Sequence, residues 1–292
     1  AYNRKMKKCL LILFLAYGLS PIANSQDVQR LSERQIIGTA RYVGMGGAMT
    51  AIGGDPSAVI GNPAGLGLYR RHEIMLTLDE TIDNTTQPST TPHNSPQRNI
   101  RTRFSAPNVS AVWARGNSQK QRGMIFNNFM LSVNRLANFN RDVKVKGQHM
   151  GMIPTICMKT DGLAEQYLQN KPWNDNEIGW LSILGYETYL INPIEENMWE
   201  PAVDLTDGTL SILETGSLDQ YTFSWGGNIS NQWYVGMSLN IPTISYTKRV
   251  SLYETNRINS AELKSLYYAT GVGVSGTCGL IYRPAQWMRV GA

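Results

Sequence analysis

Three histidines, three cysteines and a thin scatter of carboxylates are the residues of this 292-residue chain that could catalyse or hold a metal. His72, His93 and His149 sit among polar or turn-forming neighbours, without ligand spacing for zinc and without a serine–histidine–acid order. A hydrolase would need an oriented serine and histidine on rigid strands, and no histidine falls in a strand-like stretch. Cys9, Cys157 and Cys278 lie in unrelated segments, so no disulfide framework is predicted. Gly44, Gly46 and Gly47 invite comparison with a phosphate cradle. Met49, however, stands where GxGxxG needs its last glycine, and no Gly-Lys-Ser/Thr follows. Close packing is the better use for these glycines. Glu195, Glu196 and Asp204 read as solvated loop charges. The residues predict no enzyme, no metal and no cofactor.

Composition narrows the class. Hydrophobic residues make up 42 % of the chain and charged residues only 17 %, against about 25 % charged in an ordinary soluble domain. No run of about 18 apolar residues occurs, so no transmembrane helix is predicted. Met6-Lys7-Lys8, the apolar run Leu10 to Leu19 and Ala23-Asn24-Ser25 form a secretory signal, with a cut expected after Ser25. Residues 1–5 read as an upstream extension. Four of the 27 basic residues (Arg4, Lys5, Lys7, Lys8) precede that cut, leaving 23 basic against 22 acidic. The charge therefore predicts no nucleic-acid partner.

What must position anything functional is the stretch Thr39–Arg71, TARYVGMGGAMTAIGGDPSAVIGNPAGLGLYRR. It is too short and small-residued to make its own core, yet too apolar for a solvated tail. It reads as a compact plug that packs inside something else. Residues 26–38 form a polar lead-in, extended or weakly helical. Asp55 is expected to cap a short helix with Pro56 at its first position, which Asn62-Pro63 then ends.

From residue 72 the period becomes two. Ile74, Leu76 and Leu78 share a face, as do Val109, Ala111 and Trp113, with Asn128, Ser132 and Asn134 on one parity further on. Tyr221, Phe223, Trp225 and Ile229 oppose Gln220, Thr222, Ser224 and Asn228. Trp233, Val235, Met237, Leu239 and Ile241 oppose Gly236, Ser238 and Asn240. Pro242 is expected to shift that phase to Ile244 and Tyr246 through a bulge or kink. Short turns at GNSQKQ, Asn231-Gln232 and Pro284–Gln286 alternate with long loops expected at about 80–103, 140–218 and 250–264. Trp113, Trp233, Tyr234, Tyr282 and Trp287 flank the short turns as an interfacial girdle would. Two short amphipathic helices are expected in the longest loop, within GLAEQYLQ and EIGWLSILGYETYL, the second stopping at Asn192-Pro193. The fold class read here is all-β, a transmembrane antiparallel β-barrel, with a plug over 26–71 and about six strands plus the start of a seventh over 72–292.

The plug sequence resembles the N-terminal hatch of the FadL/TodX outer-membrane transport family, in its Bacteroidetes branch. Gly46-Gly47-Ala48, Asp55-Pro56-Ser57-Ala58 and Asn62-Pro63-Ala64-Gly65-Leu66 carry the resemblance. NRLANFNR at 134–141, YLINP at 189–193, the stretch 223–246 and GLIYRPAQWMRVGA at 279–292 extend it. The resemblance implies a 14-stranded barrel closed by a hatch, of which this chain is about half, truncated at its C-terminus. It also implies outer-membrane transport of long-chain fatty acids or other hydrophobic compounds, with outer-membrane lipid as surroundings. Asn62, Pro63, Ala64, Gly46 and Gly47 would form the hatch motif. Gly226, Gly227 and Pro242 would kink a strand and open the wall sideways. Trp180, Ile183 and Leu184 would face inward along an outer substrate groove. The alternative is a docking or shuttle component of Bacteroidetes protein secretion, with secretion-system proteins as partners.

Overall fold

The computed structural model describes residues 25–87, 97–117, 119, 122–170, 173, 178–194 and 197–292. The expected signal before Ser25, and Cys9, His93, Glu195 and Glu196, lie outside the described residues. A helix, Ser25–Ser32, and an extended lead-in precede the plug. The plug holds the short helix Ala40–Gly44 and two 310 turns, Ala58–Ile60 and Pro63–Leu68.

Antiparallel strands follow: β1 (Glu73–Gln87), β2 (Gln97–Gly116), β3 (Met124–Asn138), β4 (Arg141–Gln148), β7 (Asp207–Ile229), β8 (Trp233–Thr255), β9 (Ser260–Val272), β10 (Ser275–Ala285) and β11 (Met288–Gly291). A two-stranded outer ribbon, β5 (Ile191–Pro193) and β6 (Trp199–Pro201), stands apart. The main sheet runs β1-β2-β3-β7-β8-β10-β11 and curls into a half-barrel. Beyond it, β4 continues the line of β3 beside β7, and β9 that of β10 beside β8. No helix among the described residues is long and apolar enough to cross a membrane.

The sheet is inside out along one band. On β7, Gln220, Thr222, Ser224 and Asn228 are buried against the concave side, whereas Tyr221 and Phe223 are about half exposed (45 % and 50 %) on the convex side. On β8, Ser238 and Asn240 are buried while Trp233, Met237 and Leu239 face out. Asn128, Ser132 and Asn134 on β3 repeat this against Phe129, Leu131 and Val133. The apolar convex band spans residues 221–229 on β7 and 233–241 on β8. About nine to eleven residues are what a tilted strand needs to cross a bilayer core.

Above that band the polarity inverts while the parity holds. Ile244 and Tyr246 stay on the concave side of β8, and no register shift occurs at Pro242 in its pairing with β7. The expected phase change is thus a change of surroundings. Ala137, Phe139 and Tyr246 are buried together there with Leu218, Ile244 and Ala269, and Leu31 of the first helix packs onto them. The Phe139 and Tyr246 rings meet edge to face at 5.5 Å.

The expected long loops are mostly strand. β1 and β2 stay paired from Glu73 to Gln87, β7 is already paired at Asp207, and β8 and β9 turn tightly between Thr255 and Ser260. Both faces are polar in much of β1 and β2 there, and on β7 and β8 the apolar residues move to the concave side, so the period of two fades in one pair and reverses in the other. At 23 residues each, β7 and β8 are about 75 Å long at ~3.3 Å per residue, well over twice a membrane crossing. Their far ends carry an outer domain with the helices Met152–Thr160, Glu165–Gln169 and Trp180–Glu187. Met152, Ile153, Ile156, Leu168, Ile183, Ile191 and Trp199 form its core. The last helix stops at Thr188, before Asn192-Pro193, which belongs to β5.

Candidate functional site

The plug first holds itself together. Thr39 Oγ1 donates to Asp55 Oδ2 (2.6 Å), Ser57 N donates to Asp55 Oδ1 (2.9 Å), and Thr39 N donates to Ser57 Oγ (2.9 Å). All three residues are buried. Asp55 thus anchors the turn, while Ser57 takes the cap position before the 310 turn Ala58–Ile60. That turn ends at Gly61, and Asn62 opens the next one. Its extended backbone precedes Pro63 at the first position, and its Oδ1 accepts from Ala64 N at 3.0 Å. The triplet is therefore a start as well as a stop. Gly46 and Gly47 adopt positive φ (60° and 76°), Gly47 beside the Tyr42 ring.

The second 310 turn lies on the concave wall where three glycines stand abreast. Gly226 pairs with Gly236, and Gly236 with Gly279, across β7, β8 and β10. A Cβ on Gly236 would overlap the Pro63 carbonyl, one on Gly279 the Asn62 side chain, and one on Gly226 would come within 2.7 Å of Leu66 Cβ. Gly227 and Gly67 approach as closely, a Cβ on Gly67 lying 2.6 Å from the Gly227 carbonyl oxygen. Gly226 and Gly227 do not kink the wall, since their registers with β3 and β8 are unbroken. They let the plug in.

Two small apolar contacts flank this floor. Val59, Leu66 and Tyr69 meet Val112 and Met130, and Ala64 and Leu68 meet Tyr234 and Ile281. Tyr234 therefore faces the plug, not the girdle, whereas Trp113, Trp233, Tyr282 and Trp287 are exposed. Trp233 stacks on Tyr282 at 4.2 Å. Burial, with Glu73 and Asp55 adding, raises the Tyr69 phenol above its ordinary pKa, so it stays protonated.

Apart from Glu73 and Arg289, the concave wall around the plug is uncharged, and much of it is bonded to itself. Asn108 Nδ2 donates to Asn134 Oδ1, and Asn134 Nδ2 to Ser132 Oγ. Gln220, Thr222, Asn240 and Thr277 form a chain with donor–acceptor distances of 3.1–3.2 Å. Ser224 and Ser238 share a hydrogen bond of 2.6 Å.

The wall does have a break, at a place the sequence did not mark. The β2–β3 ladder ends at Asn108–Asn134. Beyond it β2 pairs only with β1, and β3 and β4 only with β7. An Arg101–Asp142 ion pair (2.8 Å) bridges the two sides higher up. A cavity of about 270 Å³ lies in this break, lined by Asp79, Asp83, Arg103, Arg135, Asn138 and residues of the lead-in. Gln35 N donates to the carbonyl of Leu136, the bulged residue, and Gln35 exchanges two bonds with Asn138. The discontinuity near Pro242 is smaller and lies in the neighbouring strand, between β9 and β10, where Gly273 N donates to Pro242 O.

The three expected groove residues do not face one way. Ile183 is fully buried in the outer domain's core, while Trp180 and Leu184 are exposed, Trp180 stacking edge-on against Trp173. Cys157 is buried and free, and Cys278 exposed and free. Among the described residues no group of three histidine, cysteine or carboxylate side chains could hold a metal. Sequence reasoning missed the glycine floor, Asn128, the wall break and the upper apolar cluster. No protein-family model matches the chain, and no curated protein matches it.

Proposed function

We propose that this chain forms part of a FadL/TodX-type outer-membrane barrel that passes fatty-acid-like hydrophobic compounds around a hinged or sliding hatch. The observation that carries the reading is the inverted band. Four strands of one sheet bury Asn, Ser, Thr and Gln and present Phe, Leu, Met and Trp outward over a membrane-crossing length. A plug that needs this wall to cover its own backbone sits on the concave side.

In this reading the apolar cluster around Phe139 and Tyr246 takes the greasy part of a compound above the membrane. The plug blocks passage straight down. The β2–β3 break opens the wall sideways just above the apolar band, where a compound could enter or leave the interior. No bond is made or broken, and the work is partitioning gated by a conformational change. Cells producing the protein, given a radiolabelled long-chain fatty acid, should take it up several-fold faster than cells without it. Equal uptake would sink the reading.

A second reading rests on the height of β7 and β8 above the band and on the self-cored domain they carry. That domain exposes Trp173, Trp180 and Tyr189 well clear of the membrane. It suits a secretion component that docks exported protein. Cargo co-purifying with the barrel, and lost on deleting residues 150–206, would favour it over transport.

A further inference from the structure

We propose that Asn128 is the latch of the plug, and that its release lets the plug leave as one body and uncovers a neutral, hydrated lane along the wall. The inference rests on the hatch-gated reading above.

Asn128 sits on β3 beside Gly226, fully buried. Its Nδ2 donates to Leu66 O at 2.8 Å and to Tyr69 O at 2.9 Å, the carbonyls at the end of the Pro63–Leu68 turn. Leu66 O also accepts from Tyr69 N within the turn (3.2 Å), so Asn128 adds a second donor there and holds the Tyr69 carbonyl just beyond the turn's end. Its Oδ1 has no partner, so the closed state holds an unsatisfied acceptor that water would satisfy on opening.

The other ties are few and lie elsewhere on the plug. Asn62 Nδ2 reaches Leu280 O at 3.3 Å, and Arg289 Nη1 reaches Ile52 O at 3.0 Å. Beneath the turn the floor is glycine, which offers no side chain to interlock. The amides and hydroxyls to either side bond among themselves, so the wall loses no partner when the plug departs. The plug keeps its own Thr39–Asp55–Ser57 bonds. Within residues 39–71 one wall side chain therefore carries the main polar grip, while the lead-in stays tethered to β3 through Gln35 and lets the plug swing from it.

The test is conductance in planar bilayers with full-length protein purified from outer membranes, each variant first checked for heat-modifiable gel migration. Asn128→Ala should raise open-channel conductance at least several-fold over the parent, with little preference between cations and anions. Asn128→Asp gives a readout that a structural defect would not. A carboxylate facing two carbonyl oxygens is repelled, which raises its pKa, whereas the protonated form can still donate one bond. That variant should be closed near pH 5 and open near pH 8, while the parent and Asn128→Ala show no such pH step.

A Leu66→Cys/Val112→Cys pair, taken from the apolar cluster that joins plug to wall, in a Cys278→Ser background carrying Asn128→Ala, should close the channel when oxidised and reopen it with dithiothreitol. Folded Asn128 variants that conduct like the parent would overturn the latch. So would a conductance that the cross-link leaves unchanged. Fatty-acid uptake measured on the same variants separates the two claims. A working latch without uptake sinks only the transport reading, and normal uptake with silent Asn128 variants sinks only the latch.

Discussion

The outer domain and the band of β7 and β8 bury opposite things. Around the helix Met152–Thr160, Ile153, Ile156 and Ile183 are inside and charged residues outside, as water requires. Further along the chain, Thr222 and Asn240 are inside and Phe223 and Leu239 outside. One polypeptide thus follows two burial rules, and the change between them falls near Asp219, which pairs with Arg135 at 2.9 Å on the strand beside it. Burial alone is no guide to hydrophobicity here. The medium outside decides it.

The largest effect should come from the outer domain's core. Ile183→Ala should cost about 2–5 kcal/mol of that domain's stability, seen as faster trypsin cleavage within residues 150–206. Heat-modifiable migration of the barrel should not change, and if it does, the two regions are not separate in the way described. Next comes the band. Phe223→Arg should cost about 2–4 kcal/mol in urea unfolding from lipid vesicles. Thr215→Arg, on the same face of the same strand but above the band, should stay within about 0.5 kcal/mol. Equal costs at the two positions would remove the case for lipid.

Inside the band, Asn134→Leu should cost about 1–3 kcal/mol by leaving the Asn108 amide buried without its partner. Replacing Asn108 and Asn134 together by leucine should recover most of that in the same assay. The smallest effects concern the cysteines. Burial, with Asp161 adding, raises the Cys157 thiol above its ordinary pKa, so at neutral pH it holds even less thiolate than a free cysteine. Cys157 should resist maleimides until the domain is unfolded. Cys278, on the convex band, should label with an apolar maleimide and not with a charged one.

The strands inside the band were legible because an apolar convex face and a polar concave one keep a period of two in residues such as Tyr221–Trp225. Their continuation was not. From Thr209 to Asp219 the apolar residues Leu210, Ile212 and Leu218 lie on the concave side, so the alternation reverses its polarity, and Leu213 and Glu214 interrupt it. Ile244 and Tyr246 misled for the same reason, their apolar character marking a new interior and not a new phase. The helix Met152–Thr160 escaped notice, with Pro154 in its first turn. The buried set Met152, Ile153, Ile156 and Cys157 was a helical signal available to be read.

The site was harder. Asn62-Pro63-Ala64 advertised a turn, but its seat did not, because Gly226, Gly236 and Gly279 become neighbours only through strand register. The β2–β3 break is an absence of pairing, and nothing in either strand's own sequence announces a missing neighbour.

The glycine floor also sets an order of assembly. The plug's internal bonds link residues no more than 18 apart, such as Thr39 and Ser57. Its contact with the wall joins Asn62 to Leu280, 218 residues later. Short loops close early and long ones late. A ready-made plug must therefore wait for the wall, and the wall must curl round it while still open. A barrel that closed first would have to unzip a seam to admit it.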